Sequence, residues 1–195
     1  CQDSLELVAG NSKDKELEII LDYHPDCPRH FMGDPSRLRQ ILLNLIGNAV
    51  KFTSEGFIRL GVAIESKGSS VEHVRLEIED TGIGLKPVAI EHLFDEFTQA
   101  DSATTREYGG TGLGLAISKK LAIKMGGEIG VNSVFGEGAT FWLNIPLAQA
   151  EAPAPIDASS IEGVRILFVD DNQENRRIFK HMLEHMGANV TIMSN

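Results

Sequence analysis

The sequence contains little of what several protein classes require. Its only cysteines are Cys1 and Cys27 and it has no CxxC pattern, so neither a disulfide framework nor a zinc site is indicated, and a reducing compartment is expected. No apolar run approaches the roughly 18 residues of a transmembrane helix, and no segment resembles a signal peptide. Basic residues are outnumbered by acidic ones, 18 to 28, and the net charge of −10 argues against a nucleic-acid partner.

The composition is otherwise that of a folded chain. Hydrophobic residues make up 42% of the 195 residues, which is enough for one full domain and part of another. The stretch 148–162 is rich in Ala, Pro, Ser and acidic residues and is typical of a linker. We therefore predict a first domain at 1–147 and the start of a second at 163–195. Because the chain begins at cysteine and stops soon after the second unit begins, we expect it to be a fragment.

Periodicity predicts an α/β first domain. A helix should begin at Pro35 with Asp34 as its N-cap, since apolar residues then recur at helical spacing up to Val50. Alternation and turn residues predict strands at 16–24, 57–65, 71–79, 128–134 and 139–146, and further helices at 87–96 and 113–125. The polar stretch 98–112 is interpreted as a mobile loop.

The second segment has the pattern of a doubly wound fold that is incomplete. The apolar run 164–169 is typical of a buried parallel strand, and a helix at 173–186 and a strand at 188–193 follow. Such a short unit should leave part of its sheet uncovered. Asp170 and Asp171 end the first strand, where paired carboxylates could hold Mg²⁺, although an ordinary polar turn explains them equally well.

The long helix carries a polar face with ligand chemistry. Asn44, Asn48 and Lys51 share one side of it, opposite the apolar stripe. Amide oxygens of Asn48 and Asn44 suit Mg²⁺, which keeps few protein ligands beside phosphate, and Lys51 offers a charge to the phosphate. A solvated polar face is the alternative.

A strand ending in Asp80 leads into Thr81-Gly82-Ile83-Gly84. The Asp80 carboxylate could accept a hydrogen bond from the adenine amine, while Gly82 and Gly84 would let the backbone approach the ring. When this motif is considered without the others, a plain turn is the simpler interpretation.

Glycine-rich backbone also precedes the second helix. At the start of a helix such backbone presents N–H groups to phosphate, although this pattern is neither a P-loop nor a dinucleotide fingerprint. The residues concerned are Gly110, Thr111, Gly112, Leu113 and Gly114. Thr140, in the last strand, could reach the base side of such a pocket or could be an ordinary strand residue.

Together these motifs resemble a known family. Residues 14–147 are similar to the catalytic and ATP-binding domain of sensor histidine kinases, within the superfamily that includes DNA gyrase, heat-shock chaperone and mismatch-repair ATPases. The resemblance rests on four motifs in a fixed order: the N-box at 34–53, a first glycine box at 80–84, the F-box at 94–101 and a second glycine box at 109–115. It implies a two-layer α/β sandwich, a mixed sheet with helices on one face.

The resemblance also implies roles for individual residues. Asn48 and Asn44 would hold Mg²⁺, Lys51 would contact the phosphates of ATP, and Phe52 would flank an adenine bound by Asp80. The stretch 98–112 would be the lid over ATP, with Arg106 a candidate for the terminal phosphate. Residues 163–195 resemble the opening of a receiver domain, with Asp170 and Asp171 as its acidic pair.

The combination resembles a hybrid histidine kinase, but the sequence contains neither the acceptor histidine nor the acceptor aspartate of its phosphorelay. None of the histidines stands in the setting of a phosphate acceptor, so the expected partners are a histidine-containing dimerisation domain and receiver or phosphotransfer domains of a homodimeric parent. A cytoplasmic location without direct membrane contact is expected, compatible with a parent anchored in a bacterial inner membrane. The alternatives are an ATP hydrolase, disfavoured because such relatives carry Glu where Asn44 stands, and a non-catalytic nucleotide-binding module.

Overall fold

The computed structural model describes residues 1–9, 15–67, 71–96, 112–151 and 161–194. The helices in these ranges are α1 (Gln2–Ala9), α2 (Pro35–Phe52), α3 (Pro87–Glu91), α4 (Gly114–Lys124) and α5 (Gln173–His185). The strands are β1 (Glu16–Tyr23), β2 (Phe31–Met32), β3 (Glu55–Lys67), β4 (Glu72–Asp80), β5 (Glu128–Val134), β6 (Gly138–Gln149), β7 (Arg165–Val169) and β8 (Asn189–Met193). None of these helices has the length and apolar character needed to span a bilayer.

The first domain is a mixed sheet covered by helices on one face. Its strand order is β1-β3-β4-β6-β2, with β5 also paired to β6. The β1–β3 pair is parallel and the other pairs are antiparallel. The core lies between the sheet and the helices. Most of its buried residues come from α2 and from alternate positions of β3, β4 and β6, and the others are Leu5, Val8, Cys27 and Ala122. The predicted α/β architecture is therefore confirmed.

Helix α2 forms for the reasons that its sequence indicates. Asp34 is the N-cap, and its Oδ1 accepts hydrogen bonds from the backbone N–H groups of Ser36 and Arg37 at 3.0 and 3.1 Å. Pro35 occupies the first helical position, where its missing N–H costs nothing. The apolar stripe is buried in the core: Ile41, Leu42, Leu45, Ile46, Ala49 and Val50. This burial fixes the rotation of the helix and therefore the direction of its polar face.

The carboxyl end of α2 is held by Lys15. The Lys15 ammonium donates hydrogen bonds to the carbonyl oxygens of Val50 at 2.6 Å and Thr53 at 2.9 Å. A cation at this end satisfies carbonyls that have no partner within the helix and opposes the negative end of the helix dipole.

Lys15→Met should therefore lower the free energy of unfolding by about 1–2 kcal/mol. Urea unfolding followed by circular dichroism measures this loss. The control is Lys124→Met, which removes an exposed cation from the last turn of α4 and should change stability by less than about 0.5 kcal/mol. Equal stability of the Lys15 variant and the wild-type protein would contradict this account of the cap.

The second segment is a β–α–β unit with an uncovered face. Strands β7 and β8 are parallel, and α5 packs on one side of them, where Phe168 stacks on Phe179. On the other side Leu167 is 61% exposed and Val169 is 47% exposed. The uncovered apolar surface is what the sequence predicts for so short a parallel sheet.

This unit contacts the first domain through α5 and β1. Arg177 donates to the Asp22 carboxylate at 2.9 Å, and Asp22 also accepts from Arg59 of β3 at 3.0 Å. Asn175 donates to Glu18 at 3.3 Å. The described contacts between the two units are therefore ion pairs and hydrogen bonds, together with the edge-to-face rings of His24 and His181 at 5.5 Å.

Three short elements differ from the sequence prediction. Helix α1 and strand β2 were not predicted, and α3 ends at Glu91 instead of 96. An eight-residue helix is marginal by itself, and α1 is stabilised by burying Leu5 and Val8 against the core. Strand β2 is only a two-residue pairing with the end of β6. Each depends on distant contacts that periodicity cannot reveal.

Candidate nucleotide-binding site

The polar face of α2 forms one wall of the candidate site. Asn44, Asn48 and Lys51 are all half-buried, although a purely solvated face would leave them exposed. The Lys51 ammonium lies 4.8 Å from the centre of the Phe52 ring. The predicted metal, phosphate and adenine residues of this helix therefore follow one another along a single partly enclosed face.

Helix α4 forms a second wall opposite Asn44. The Nδ2 group of Asn44 donates a hydrogen bond to the Oγ atom of Ser118 at 2.9 Å. A Cβ atom on Gly114 would lie 2.2 Å from the Asn44 Oδ1 atom, so only glycine fits at this position without displacing the amide. Within the described ranges, no side chain caps the first turn of α4. Its amino end is thus close to Asn44 and suits an anion such as phosphate.

Asp80 lies at the end of β4 with its side chain toward the core. It is only 7% exposed, and its Oδ1 atom accepts a hydrogen bond from the backbone N–H of Gly82 at 2.9 Å. Burial raises the pKa of the Asp80 carboxyl above its ordinary value, while the backbone N–H groups of Gly82 and Ala139 partly oppose that rise. A buried carboxylate at the end of a strand is an acceptor suited to an amine on a ligand.

The Asp80 loop meets the carboxyl end of α2 at Gly82. A Cβ atom here would lie 2.5 Å from the Phe52 carbonyl oxygen and 2.9 Å from both Asp80 Oδ1 and Thr53 Oγ1. The backbone N–H of Ile83 donates to the same Phe52 oxygen at 3.3 Å. The long helix and the glycine motif are therefore parts of a single site.

Thr53 contributes a buried hydroxyl to this junction. The residue is fully buried, and its Oγ1 atom has no hydrogen-bond partner among the described residues. The Thr53 hydroxyl is close enough to the Asp80 carboxyl to lower its pKa slightly. The two groups are nevertheless not placed for a complete hydrogen bond. Buried polar atoms of this kind need an explanation, and a polar ligand in the site would supply one.

Gly84 ties the same loop to the turn between β5 and β6. Its φ angle is +63°, and a Cβ atom there would lie 2.1 Å from the Val134 carbonyl oxygen. Nearby, the Leu85 N–H donates to Ser133 Oγ at 2.8 Å. Gly84 is therefore needed for a close approach between backbone segments, which shapes the pocket indirectly.

The donor set fits ATP with a hard divalent cation. Two features match phosphate and base. Among the residues that the structure describes, the amino end of α4 has no side-chain cap, and the Thr53 hydroxyl beside the acceptor Asp80 has no partner. The amide oxygens of α2 are ligands that Mg²⁺ accepts. In the described ranges no three His, Cys, Asp or Glu residues come together as a metal site, so a cation here would also require oxygens from the nucleotide.

The remaining predicted residues divide into those outside the site and those outside the described ranges. Thr140 pairs with Glu79 across the sheet, whereas Asp80 pairs with Ala139, so Thr140 lies on the face of the sheet opposite Asp80 and is not brought to the pocket. Gly112 and Leu113 directly precede α4, and Gly112 has a φ angle of +69°. Arg106, Gly110 and Thr111 lie outside the described residues.

Asp170 and Asp171 lie in the second segment at the end of β7. Asp170 Oδ1 accepts from the Asn172 N–H at 2.8 Å, and the carbonyl oxygens of both aspartates accept from Arg176 at 2.7 and 2.8 Å. These bonds shape a turn at the carboxyl edge of the strand. A metal-binding role for the pair stays a prediction.

Sequence reasoning missed Ser118 and assigned no role to Thr53. The available signal was burial: Ser118 lies on the inward side of α4, between Gly114 and Ala122 at helical spacing, where an apolar residue would be expected. For Thr53, which ends the N-box, the signal was its place next to the adenine candidate Phe52.

Comparison with known proteins agrees with this geometry. Residues 33–149, more than half of the chain, match the family described as "Histidine kinase-, DNA gyrase B-, and HSP90-like ATPase". The matched segment begins just before α2 and ends with β6, so it contains every described residue of the candidate site.

The chain is also similar to curated histidine kinases. It is 41% identical to the sensor histidine kinase GacS of Pseudomonas protegens over 97% of this chain and 21% of that protein. It is 48% identical to the peroxide stress-activated histidine kinase mak2 of Schizosaccharomyces pombe over 92% of this chain and 8% of that protein. The chain thus spans about a fifth or less of these relatives.

Solved structures share the fold. Full-length ShkA in complex with AMPPNP superimposes with a TM-score of 0.79 at 34% identity, over 98% of this chain and 38% of that one. The mycobacterial sensor histidine kinase MprB gives a TM-score of 0.59 at 28% identity, over 76% of this chain and 93% of that one.

Proposed function

Because the chain belongs to the histidine kinase-, DNA gyrase B- and HSP90-like ATPase family, we propose that it binds ATP together with Mg²⁺ and presents the γ-phosphate to a histidine on a separate dimerisation domain. It would act as the kinase part of a hybrid two-component sensor. The family match and the similarity to named histidine kinases support the ATP-binding kinase domain itself.

The observation that carries the proposal is the junction at Gly82. There a buried carboxylate, the end of α2 and a hydroxyl with no partner among the described residues surround one position that only glycine can occupy. Asp80 would accept a hydrogen bond from the adenine amine, and the backbone at Gly82 would lie close to the ring. Phe52 would flank the base.

The phosphates would lie toward the amino end of α4. Gly112, Leu113 and Gly114 lead into that helix, whose first N–H groups have no side-chain cap from the described part of the chain. Lys51 would supply positive charge on the α2 side, and Asn48 with Asn44 would offer amide oxygens to Mg²⁺. When bound, Mg²⁺ would neutralise phosphate charge. Arg106, Gly110 and Thr111 remain candidates for phosphate contact.

Transfer to a side chain is favoured over hydrolysis by the chemistry of Asn44. Hydrolysis needs a general base to take a proton from water, and an amide cannot do so. Moreover, the Asn44 nitrogen is already a donor to Ser118. In transfer, an imidazole nitrogen of the acceptor forms the new bond to phosphorus as the bond to the ADP oxygen breaks, and no base is needed at Asn44.

We also propose the wider context of the reaction. The partners would be a histidine-containing dimerisation domain and a receiver or phosphotransfer domain within a homodimeric parent. Residues 163–195 would be the opening of such a receiver, with Asp170 and Asp171 as its metal-binding pair. The relatives named above are many times longer than this chain, which supports further domains in the parent. The reaction would take place in the cytoplasm, where ATP is available.

Labelled phosphate transfer tests this proposal. Incubated alone with ATP labelled at the γ-phosphate and Mg²⁺, the chain should acquire no acid-labile, base-stable phosphate. When a separately expressed dimerisation domain is added, that domain should become labelled, and replacing its acceptor histidine by alanine should abolish the label. Labelling of the chain itself with this stability, or release of inorganic phosphate in place of transfer, would contradict the proposal.

A further inference from the structure

Asn44 is fixed by a contact between two helices that are far apart in sequence. Its Nδ2 group on α2 donates to Ser118 Oγ on α4 at 2.9 Å. Ser118 is only 1% exposed, whereas Asn44 is half-buried and faces the candidate site. The hydrogen bond therefore joins a residue buried between the helices to a residue in the pocket wall.

In the structure this hydrogen bond holds the nitrogen end of the Asn44 amide, which leaves the oxygen end for the phosphate region. With Nδ2 directed at Ser118, the carbonyl oxygen Oδ1 points toward Gly114, where a Cβ atom would be only 2.2 Å from it. A rotated amide would direct its nitrogen there, and an amide nitrogen cannot bind a cation. The orientation of Asn44 thus decides whether it offers a metal ligand.

A serine at this position needs a reason beyond packing. In a helix interior serine is less favourable than alanine, and burying a hydroxyl without a partner is costly. Ala122, four residues later on the same side of α4, is also buried and shows that a small apolar residue fits this face. The feature that alanine would lack is the acceptor for Asn44.

We propose that Ser118 is a positioning residue for Asn44, holding the amide so that its oxygen faces the Mg²⁺ and phosphates of bound ATP. This inference rests on the proposed function. Ser118 itself does not touch the nucleotide, and it acts only through the orientation of Asn44.

The test is the dependence of ATP affinity on Mg²⁺. Calorimetry gives the Kd of ATP with Mg²⁺ and the Kd in excess chelator. The ratio of these two Kd values is the gain in ATP affinity due to the cation. Ser118→Ala should reduce this gain by about threefold to tenfold, the range for loss of one neutral hydrogen bond, and should leave affinity in chelator unchanged. Ser4→Ala, which removes another buried helical serine hydroxyl, should leave the gain unchanged.

A double-mutant cycle shows whether Ser118 acts through Asn44. In an Asn44→Ala background, Ser118→Ala should have no further effect on the gain. Two results would overturn this inference but not the proposed function. One is a gain in Ser118→Ala equal to that of the wild type, and the other is an effect of Ser118→Ala that is as large in the Asn44→Ala background as in the wild type. A wild-type protein without any Mg²⁺-dependent ATP binding would instead overturn the proposed function and this inference with it.

A second measurement needs no nucleotide. In ¹⁵N–¹H spectra of the nucleotide-free protein, the Asn44 side-chain amide signals are identified by their loss in Asn44→Ala. They should shift in Ser118→Ala and stay in place in Ser4→Ala. Unshifted Asn44 signals in Ser118→Ala would show that the hydroxyl does not hold the amide.

Discussion

Asp80→Asn is expected to weaken ATP binding by about 10- to 150-fold, equivalent to about 1.5–3 kcal/mol for a hydrogen bond to a charged group. It should also remove the preference for ATP over GTP. The Asp80 carboxylate can only accept, so it suits the adenine amine and opposes the guanine carbonyl. The asparagine amide can accept or donate and therefore tolerates both bases.

The same substitution should not weaken the fold. Burial raises the pKa of Asp80 in the folded protein above its value in the unfolded chain. For a raised carboxyl pKa, the charged form is less favourable in the folded state, so stability falls as the pH rises from the unfolded pKa through the folded one. Above both pKa values this loss is complete, and Asp80→Asn removes it. The nucleotide-free variant should therefore melt at the same temperature as the wild type or at a higher one.

Calorimetry with ATP and GTP, together with thermal melting, separates these effects. The matched control is Glu79→Gln, which neutralises the adjacent carboxylate on the opposite face of β4, where it pairs with Arg59. This control should leave the ratio of ATP to GTP affinity unchanged. An Asp80→Asn protein that kept the wild-type ratio would show that Asp80 does not contact the base.

Asn48→Asp is expected to reduce ATP affinity in the presence of Mg²⁺ by about 100-fold or more. A carboxylate here would stand near the phosphates, and two like charges about 4 Å apart at an effective dielectric constant of about 20 repel by about 4 kcal/mol. A charged oxygen would also bind the cation differently from a neutral amide oxygen. The normal Mg²⁺ dependence of binding should therefore be lost.

The matched control for this change is Gln40→Glu. It places the same charge on the same helix at an exposed position before Asn44, where the side chain contacts Arg37. ATP affinity should then change by less than about threefold, because an exposed charge at that distance is screened. If the Asn48 variant instead retained wild-type Mg²⁺ dependence in titrations with and without the cation, Asn48 would not be the ligand.

The sequence was sufficient to predict an element where local rules, such as helix capping and apolar periodicity, agree with the tertiary packing. Asp34, Pro35 and the apolar stripe predicted α2, and burial of that stripe directs Asn44, Asn48 and Lys51 to one side. The order of the four motifs predicted the family. The comparisons confirmed that assignment.

Contacts between distant elements could not be predicted. The Asn44–Ser118 hydrogen bond depends on the rotation of α4 against α2, and the unpartnered Thr53 hydroxyl depends on how the Asp80 loop returns to the helix. Thr140 was expected at the pocket. The sequence placed it in a strand but did not show which face of the sheet its side chain occupies. The register that pairs it with Glu79 settles the face, since neighbouring strand residues point to opposite sides.

A crystal structure of this chain with Mg²⁺ and a non-hydrolysable ATP analogue would show where the nucleotide binds. We expect the adenine amine within hydrogen-bond distance of the Asp80 carboxylate, beside Gly82. The cation should be bound to the amide oxygen of Asn48 and to phosphate oxygens near the amino end of α4. Nucleotide bound elsewhere, or bound here with the adenine away from Asp80 and no cation on Asn48, would contradict this expectation.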